Sequence, residues 1–128
     1  MNYLASPYTG TKREMTQRYK WALRVTASLI AEKIWTYSPI VHCHEMAVKY
    51  NLPRDIEFWR EYDRDSVHTC RELYVLQLPG WGTSAGVRYE ITLADEQNKP
   101  IRYLELHRSK VLICTKPQGA IIRGVPLI

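Results

Sequence analysis

The chain has 128 residues, of which 45% are hydrophobic and 24% charged, a globular composition that excludes a disordered or fibrous protein and matches the usual size of one domain. No apolar run approaches the ~20 residues that span a bilayer, and the stretch Met1 to Ala5 lacks the basic and apolar regions of a secretory signal, so a cytoplasmic protein without a membrane partner is expected. The formal net charge is +5; without an Arg-rich tract or an aromatic-interleaved basic strand, nucleic acid is not the expected partner.

In chain order, Tyr3-Leu4-Ala5 reads as a short buried strand that ends in the loop Ser6 to Gly10. From Thr11 to Lys33 the positions Met15, Tyr19, Ala22, Thr26, Leu29 and Ile30 recur at helical spacing, which predicts an amphipathic helix. Ile34 to Tyr37 is β-branched and aromatic, and Ser38-Pro39 stops it, giving a second strand. Glu57 to Cys70 reads as a helix and Leu73 to Leu78 as a strand covered on both faces, the situation of a parallel sheet. The loop Pro79 to Thr83 breaks the chain, and Ser84 is a fitting N-cap for a helix to Asn98. Ile101 to Leu104 and Val111 to Cys114 read as further strands.

Strands alternating with helices predict an α/β fold: a doubly wound, flavodoxin-like or Rossmann-like, parallel sheet of about five strands flanked by helices. Ligands of such sheets bind outside the carboxyl ends of the strands. The loops after Ala5, Tyr37 and Leu78 are therefore the expected place for chemistry.

The cysteines, Cys43, Cys70 and Cys114, are odd in number and scattered, which fits reduced thiols rather than a disulfide framework. His42, Cys43, His44 and Glu45 offer metal-ligand types, but no second pair stands at a metal-finger spacing, so His42 and His44 read as surface or substrate-facing groups and no metal is expected. Among the tryptophans, only Trp81 lies in a Gly-flanked loop at a strand's carboxyl end and reads as a ligand wall. The sequence contains no Gly-x-Gly-x-x-Gly, no Gly-rich Lys-Ser/Thr loop and no Gly-x-Ser-x-Gly, which speaks against dinucleotide oxidoreductases, P-loop enzymes and α/β-hydrolases. Two carboxylates remain in suggestive places: Asp63 on the helix before the third strand, and Glu90 about two turns into the helix after it.

Tyr3-Leu4-Ala5-Ser6-Pro7-Tyr8, Asp63, and Ser84-Ala85-Gly86-Val87-Arg88-Tyr89-Glu90 together resemble the nucleoside 2-deoxyribosyltransferase superfamily. The last segment resembles the Ser-x-Gly-Val-Gly-Tyr-Glu stretch of its 2'-deoxynucleoside 5'-phosphate N-hydrolase branch. Ser38-Pro39-Ile40-x-His42-x-His44 with Leu78-Pro79-Gly80-Trp81 is similar to a short, uncharacterised branch found in bacteria and phages. The resemblance implies that residues 1–128 form one deoxyribosyltransferase-like domain. It also implies that Glu90 attacks the anomeric carbon, Tyr3 orients Glu90, and Asp63 assists the departing base. Ser84 and Gly86 match the branch's phosphate-binding turn, and the first loop, Ser6, Pro7 and Tyr8, joins His42, His44 and Trp81 as substrate-binding candidates.

The expected activity is cleavage of an N-glycosidic bond, or deoxyribosyl transfer, on a nucleoside or nucleoside 5'-monophosphate, with no cofactor. The rival expectation is a non-catalytic module that binds a nucleotide or nucleotide-derived signal in the same cleft. A third reading is nucleic-acid binding through the basic helix and tail. A homodimer is expected, from the family's shared pockets and from the apolar tail Ala120 to Ile128, which is hard to bury in one small domain.

Overall fold

The computed structural model describes residues 1–128 and shows a mixed α/β protein. Its strands are β1 (Asn2–Ala5), β2 (Thr36–Tyr37), β3 (Leu73–Leu76), β4 (Ile101–His107), β5 (Lys110–Cys114) and β6 (Ile121–Pro126). The helices are α1 (Lys12–Ala31), α2 (Pro39–Lys49), α3 (Ile56–Thr69) and α4 (Ala85–Glu96). One six-stranded sheet runs in the order β2-β1-β3-β4-β5-β6. The first four strands are parallel, whereas β4, β5 and β6 pair antiparallel.

Side-chain alternation along the parallel strands feeds two cores. Leu4, Tyr74, Leu76 and Leu104 point to the face covered by Val25 and Leu29 of α1. Tyr3, Ala5, Leu73 and Val75 point to the other face, against Val67 of α3 and Val87, Leu93 and Ala94 of α4. Strands buried on both faces explain the unbroken apolar run at Leu73–Leu76.

Local signals set the helix starts. Thr11 and Glu14 form a reciprocal capping box at the head of α1. Ser84 Oγ accepts from Val87 N at 3.3 Å and opens α4 where the sequence places its cap. Gly80, with φ of 89°, occupies the left-handed region in the turn before it, which glycine enters without steric cost.

Three expectations need correction. The sheet is mixed rather than wholly parallel, because Arg108 and Ser109 alone separate β4 from β5, and a parallel crossover needs roughly a dozen residues. Ser38-Pro39 ends β2 but also begins α2: the Ser38 side chain accepts from Val41 N at 3.2 Å, and Pro39 sits at the first helical position, where its missing N–H costs nothing. The tail from Ala120 does not stand apart from the domain, since β6 pairs with β5 and buries Val125 in the α1-side core. Ile121, Ile122 and Ile128 nevertheless stay exposed. No helix is long and apolar enough to cross a membrane.

Candidate functional site

Because β1, β2 and β3 are parallel, the segments leaving their carboxyl ends emerge at one edge of the sheet, and they enclose a cavity of about 470 Å³. That volume lies within the roughly 300–1,000 Å³ of small-molecule sites. Ser6, Pro7 and Tyr8 come from the segment after β1. Arg18, one turn and a half into α1, fixes that segment by donating from Nη1 to Thr9 O at 2.7 Å. From α2 come Ile40, Cys43, His44 and Ala47, one helical face. Ile56, Trp59 and Asp63 form a matching row along α3, and Ser84, Gly86 and Glu90 complete the wall from α4.

The floor holds the chemistry. Glu90 is only 5% exposed, and the fully buried Tyr3 hydroxyl donates to Glu90 Oε2. Val87, one turn earlier on the same helix, packs into the core, so the apolar face of α4 draws Glu90 inward with it. Burial pushes the Glu90 carboxyl well above the carboxylate range, the Asp63 charge adds to the rise, and the Tyr3 bond opposes it. Asp63, half-buried in the same cavity, is pushed up to about 6 by burial, with the Tyr3 hydroxyl again opposing. The two acids face one cavity, and a charge on Asp63 makes ionisation of Glu90 harder. The Tyr3 hydroxyl, raised by burial and by both carboxylates, keeps its proton and remains a donor.

At the mouth, the Tyr8 hydroxyl lies 2.7 Å from His44 Nδ1. The His44 ring stacks on Tyr19 with centroids 4.2 Å apart. Burial and the Arg54 guanidinium depress His44, which favours the neutral ring beside the Tyr8 hydroxyl. At the head of α4, a Cβ added to Gly86 would meet nothing nearer than Ser84 Oγ at 3.9 Å, so protein packing does not require glycine there. Its lack of a side chain leaves the backbone of the helix's first turn open to the cavity.

Of the residues singled out from sequence, Ser6, Pro7, Tyr8 and His44 line the cavity. So do Asp63, Ser84, Gly86 and Glu90, with Tyr3 directly beneath Glu90. Two do not belong. His42 is exposed with its ring 5.9 Å from that of Tyr37, because residues two apart on a helix point in nearly opposite directions. Trp81 packs edge-on against Tyr103 at 5.8 Å, outside the cavity wall. The aromatic wall is Trp59 instead, which follows Ile56 and precedes Asp63 on the α3 row. Arg18 and Arg54 also reach the cavity unannounced by any motif, as does Cys43 of the His42–Glu45 cluster. No group of three or more His, Cys, Asp or Glu converges in a metal-binding arrangement.

Fold and site thus define an α/β protein with a cavity at the carboxyl edge of its parallel strands and two carboxyls, buried Glu90 and half-buried Asp63, at the cavity floor. Residues 1–106 match the family model described as a domain of unknown function (DUF1937), and the chain belongs to that family. The matched segment contains all four helices and every cavity residue named above; β5 and β6 lie beyond it. No curated protein matches the chain.

Proposed function

We propose that the cavity binds a nucleoside or nucleoside 5'-monophosphate and that the protein cleaves its N-glycosidic bond, as a nucleoside deoxyribosyltransferase-like enzyme. The observation that carries this reading is a buried carboxyl, Glu90, held by the Tyr3 hydroxyl on the floor of the cavity that Asp63 also faces. A nucleophile needs fixed orientation and a leaving group needs a proton, and the two acids supply one function each. The parallel β2-β1-β3-β4 core with helices on both faces supports a doubly wound fold, whose ligands bind at this edge.

In the reaction, Glu90 Oε attacks the anomeric carbon as the bond from that carbon to the base nitrogen breaks. The bonding pair leaves with the base, which takes a proton from Asp63 in its acid form. The transition state is oxocarbenium-like, and the Glu90 anion stabilises it before capturing it as a glycosyl ester. Water, or the nitrogen of a second base, then attacks the same carbon, gives its proton to Asp63 and frees Glu90. A 2-deoxy sugar suits this route because no electron-withdrawing 2-hydroxyl destabilises the cation. Ser84, Gly86 and the free N–H groups of the first turn of α4 suit a phosphate or sugar oxygen. A homodimer is part of the proposal, supported by the exposed Ile121 and Ile122 on the edge strand β6.

One observation favours a second reading, non-catalytic nucleotide binding. Burial raises the Glu90 acid, and a neutral carboxyl is a poor nucleophile. Chromatography of products from a panel of deoxynucleosides and their 5'-monophosphates separates the two: free base supports the enzyme, and binding without any base release supports the module.

A further inference from the structure

Trp59 stands one helical turn before Asp63 on α3, and both line the cavity. Residues four apart on a helix have Cβ atoms roughly 5–6 Å apart, within the roughly 4.5–7 Å that separates the centres of interacting rings. A base whose departing nitrogen meets Asp63 therefore brings its ring to the indole, and helical spacing alone sets that juxtaposition.

The indole is fixed before any ligand arrives. Trp59 Nε1 donates to Pro53 O at 2.7 Å, which satisfies the one polar atom of the ring. Phe58 and Tyr62 stand nearly perpendicular to it, at 81° and 90°, with centroids 5.0 and 5.4 Å away. A ring pinned at its nitrogen and by its aromatic neighbours loses little freedom when a ligand stacks on it.

The polar side chains at the cavity mouth are engaged with one another rather than left open to a base edge. Arg54 Nη2 donates to Ala47 O at 3.3 Å, and the guanidinium also bonds to the Tyr8 hydroxyl. That hydroxyl lies 2.7 Å from His44 Nδ1. The α2 side of the cavity, Ile40, Cys43 and Ala47, is apolar. Stacking takes any base, because every base has a π face, whereas choosing among bases needs hydrogen bonds to their edges. We infer that Trp59 is the stacking platform for the base and that the cavity accepts purine and pyrimidine nucleotides alike, ranking them by ring area and not by their exocyclic groups. The inference rests on the reading of the cavity as a nucleotide site, and it gives that site a substrate class.

The test is calorimetric titration of the full chain carrying Glu90→Gln, with the 5'-monophosphates of deoxyadenosine, deoxyguanosine, deoxycytidine, thymidine and benzimidazole deoxyriboside, whose base has the ring but no exocyclic group. The three bicyclic bases are expected to agree within about fivefold, as are the two pyrimidines, and a wider spread in either set overturns the tolerance. Adding Trp59→Leu is expected to weaken every ligand by about fivefold or more, and Trp59→Phe, which keeps a ring, by less; a smaller loss in a folded Trp59→Leu protein overturns the platform. A second readout does not depend on how Trp59→Leu folds. Stacking quenches tryptophan emission, and the quench should vanish in Trp59→Phe, where Trp21, Trp35 and Trp81 remain. A merely structural indole gives no such signal, so binding without a quench, or a quench that survives Trp59→Phe, overturns the inference. Failure of all five ligands to bind overturns the nucleotide reading and the inference with it. Trp59-dependent binding to a wild-type protein that releases no base leaves the platform standing and overturns the enzymatic reading. Base release that is indifferent to Trp59→Leu does the reverse.

Discussion

Replacing Asp63 by Asn should make the protein more stable and less active, and the gain should depend on pH. In the native cavity, burial lifts the Asp63 carboxyl from its ordinary 3.8 to about 6. A raised carboxyl contributes stability that is fully present below the unfolded value and is lost as pH rises through the folded one. Above the folded value, wild type therefore carries an unfavourable buried charge, worth about 1.4 kcal/mol for each pH unit of rise, or about 3 kcal/mol in all as an upper bound. The amide carries no charge at any pH, and it also removes the like charge that raises Glu90, an effect of the same sign. Urea unfolding at about pH 8 should show Asp63→Asn more stable by up to about 3 kcal/mol, while at about pH 4 the difference should fall below about 1 kcal/mol. A thermal melt at the higher pH should rise by on the order of 10 °C. Stability bought back in this way at a site is the mark of a group kept for function rather than for folding. A variant less stable than wild type at the higher pH, or a gain equal at both pH values, would refute the reasoning.

Other consequences are equally open to measurement. Asp63→Asn should slow base release by ~10²–10⁴-fold with natural bases but far less with a good leaving group, read as kcat/KM on both substrate types. Tyr3→Phe removes the hydrogen bond that holds Glu90 down, so the acid limb of the pH profile of kcat/KM should move to higher pH. Leu4→Ala empties a fully buried position between α1 and the sheet and should cost about 2–5 kcal/mol in chemical denaturation. Light scattering at micromolar concentration should return the mass of a dimer; a monomer contradicts the assembly.

Much of this organisation is legible in the sequence, and its failures have physical causes. The apolar run at Leu73–Leu76 and the cap at Ser84 act locally, so β3 and α4 fall where the pattern puts them. Ser38-Pro39 carries two meanings at once, strand stop and helix start, and taking only the first hides α2. With α2 unseen, His42 and His44 read as one cluster, although a helix turns them apart. The spacing between β4 and β5 was already too short for a parallel crossover, a chain-length argument that outranks the α/β pattern. Arg54 carries no signal because it stands in an irregular segment, and only the folding of α2, α3 and the first loop around it brings it to the cavity. Trp59 and Trp81 look alike as isolated aromatics; their neighbours in space, Asp63 and Tyr103, decide their roles.

The central claim is that Glu90 forms a covalent bond to the sugar, and a trapping experiment tests it most directly. A 2-fluoro-2-deoxy nucleoside 5'-monophosphate carries a fluorine that destabilises the cation needed for turnover, so the glycosyl ester should accumulate. Intact-mass spectrometry is predicted to show one added sugar phosphate on wild type and none on Glu90→Gln, with peptide mapping placing the adduct on Glu90. Base released without an adduct, or an adduct on any other residue, would contradict the claim.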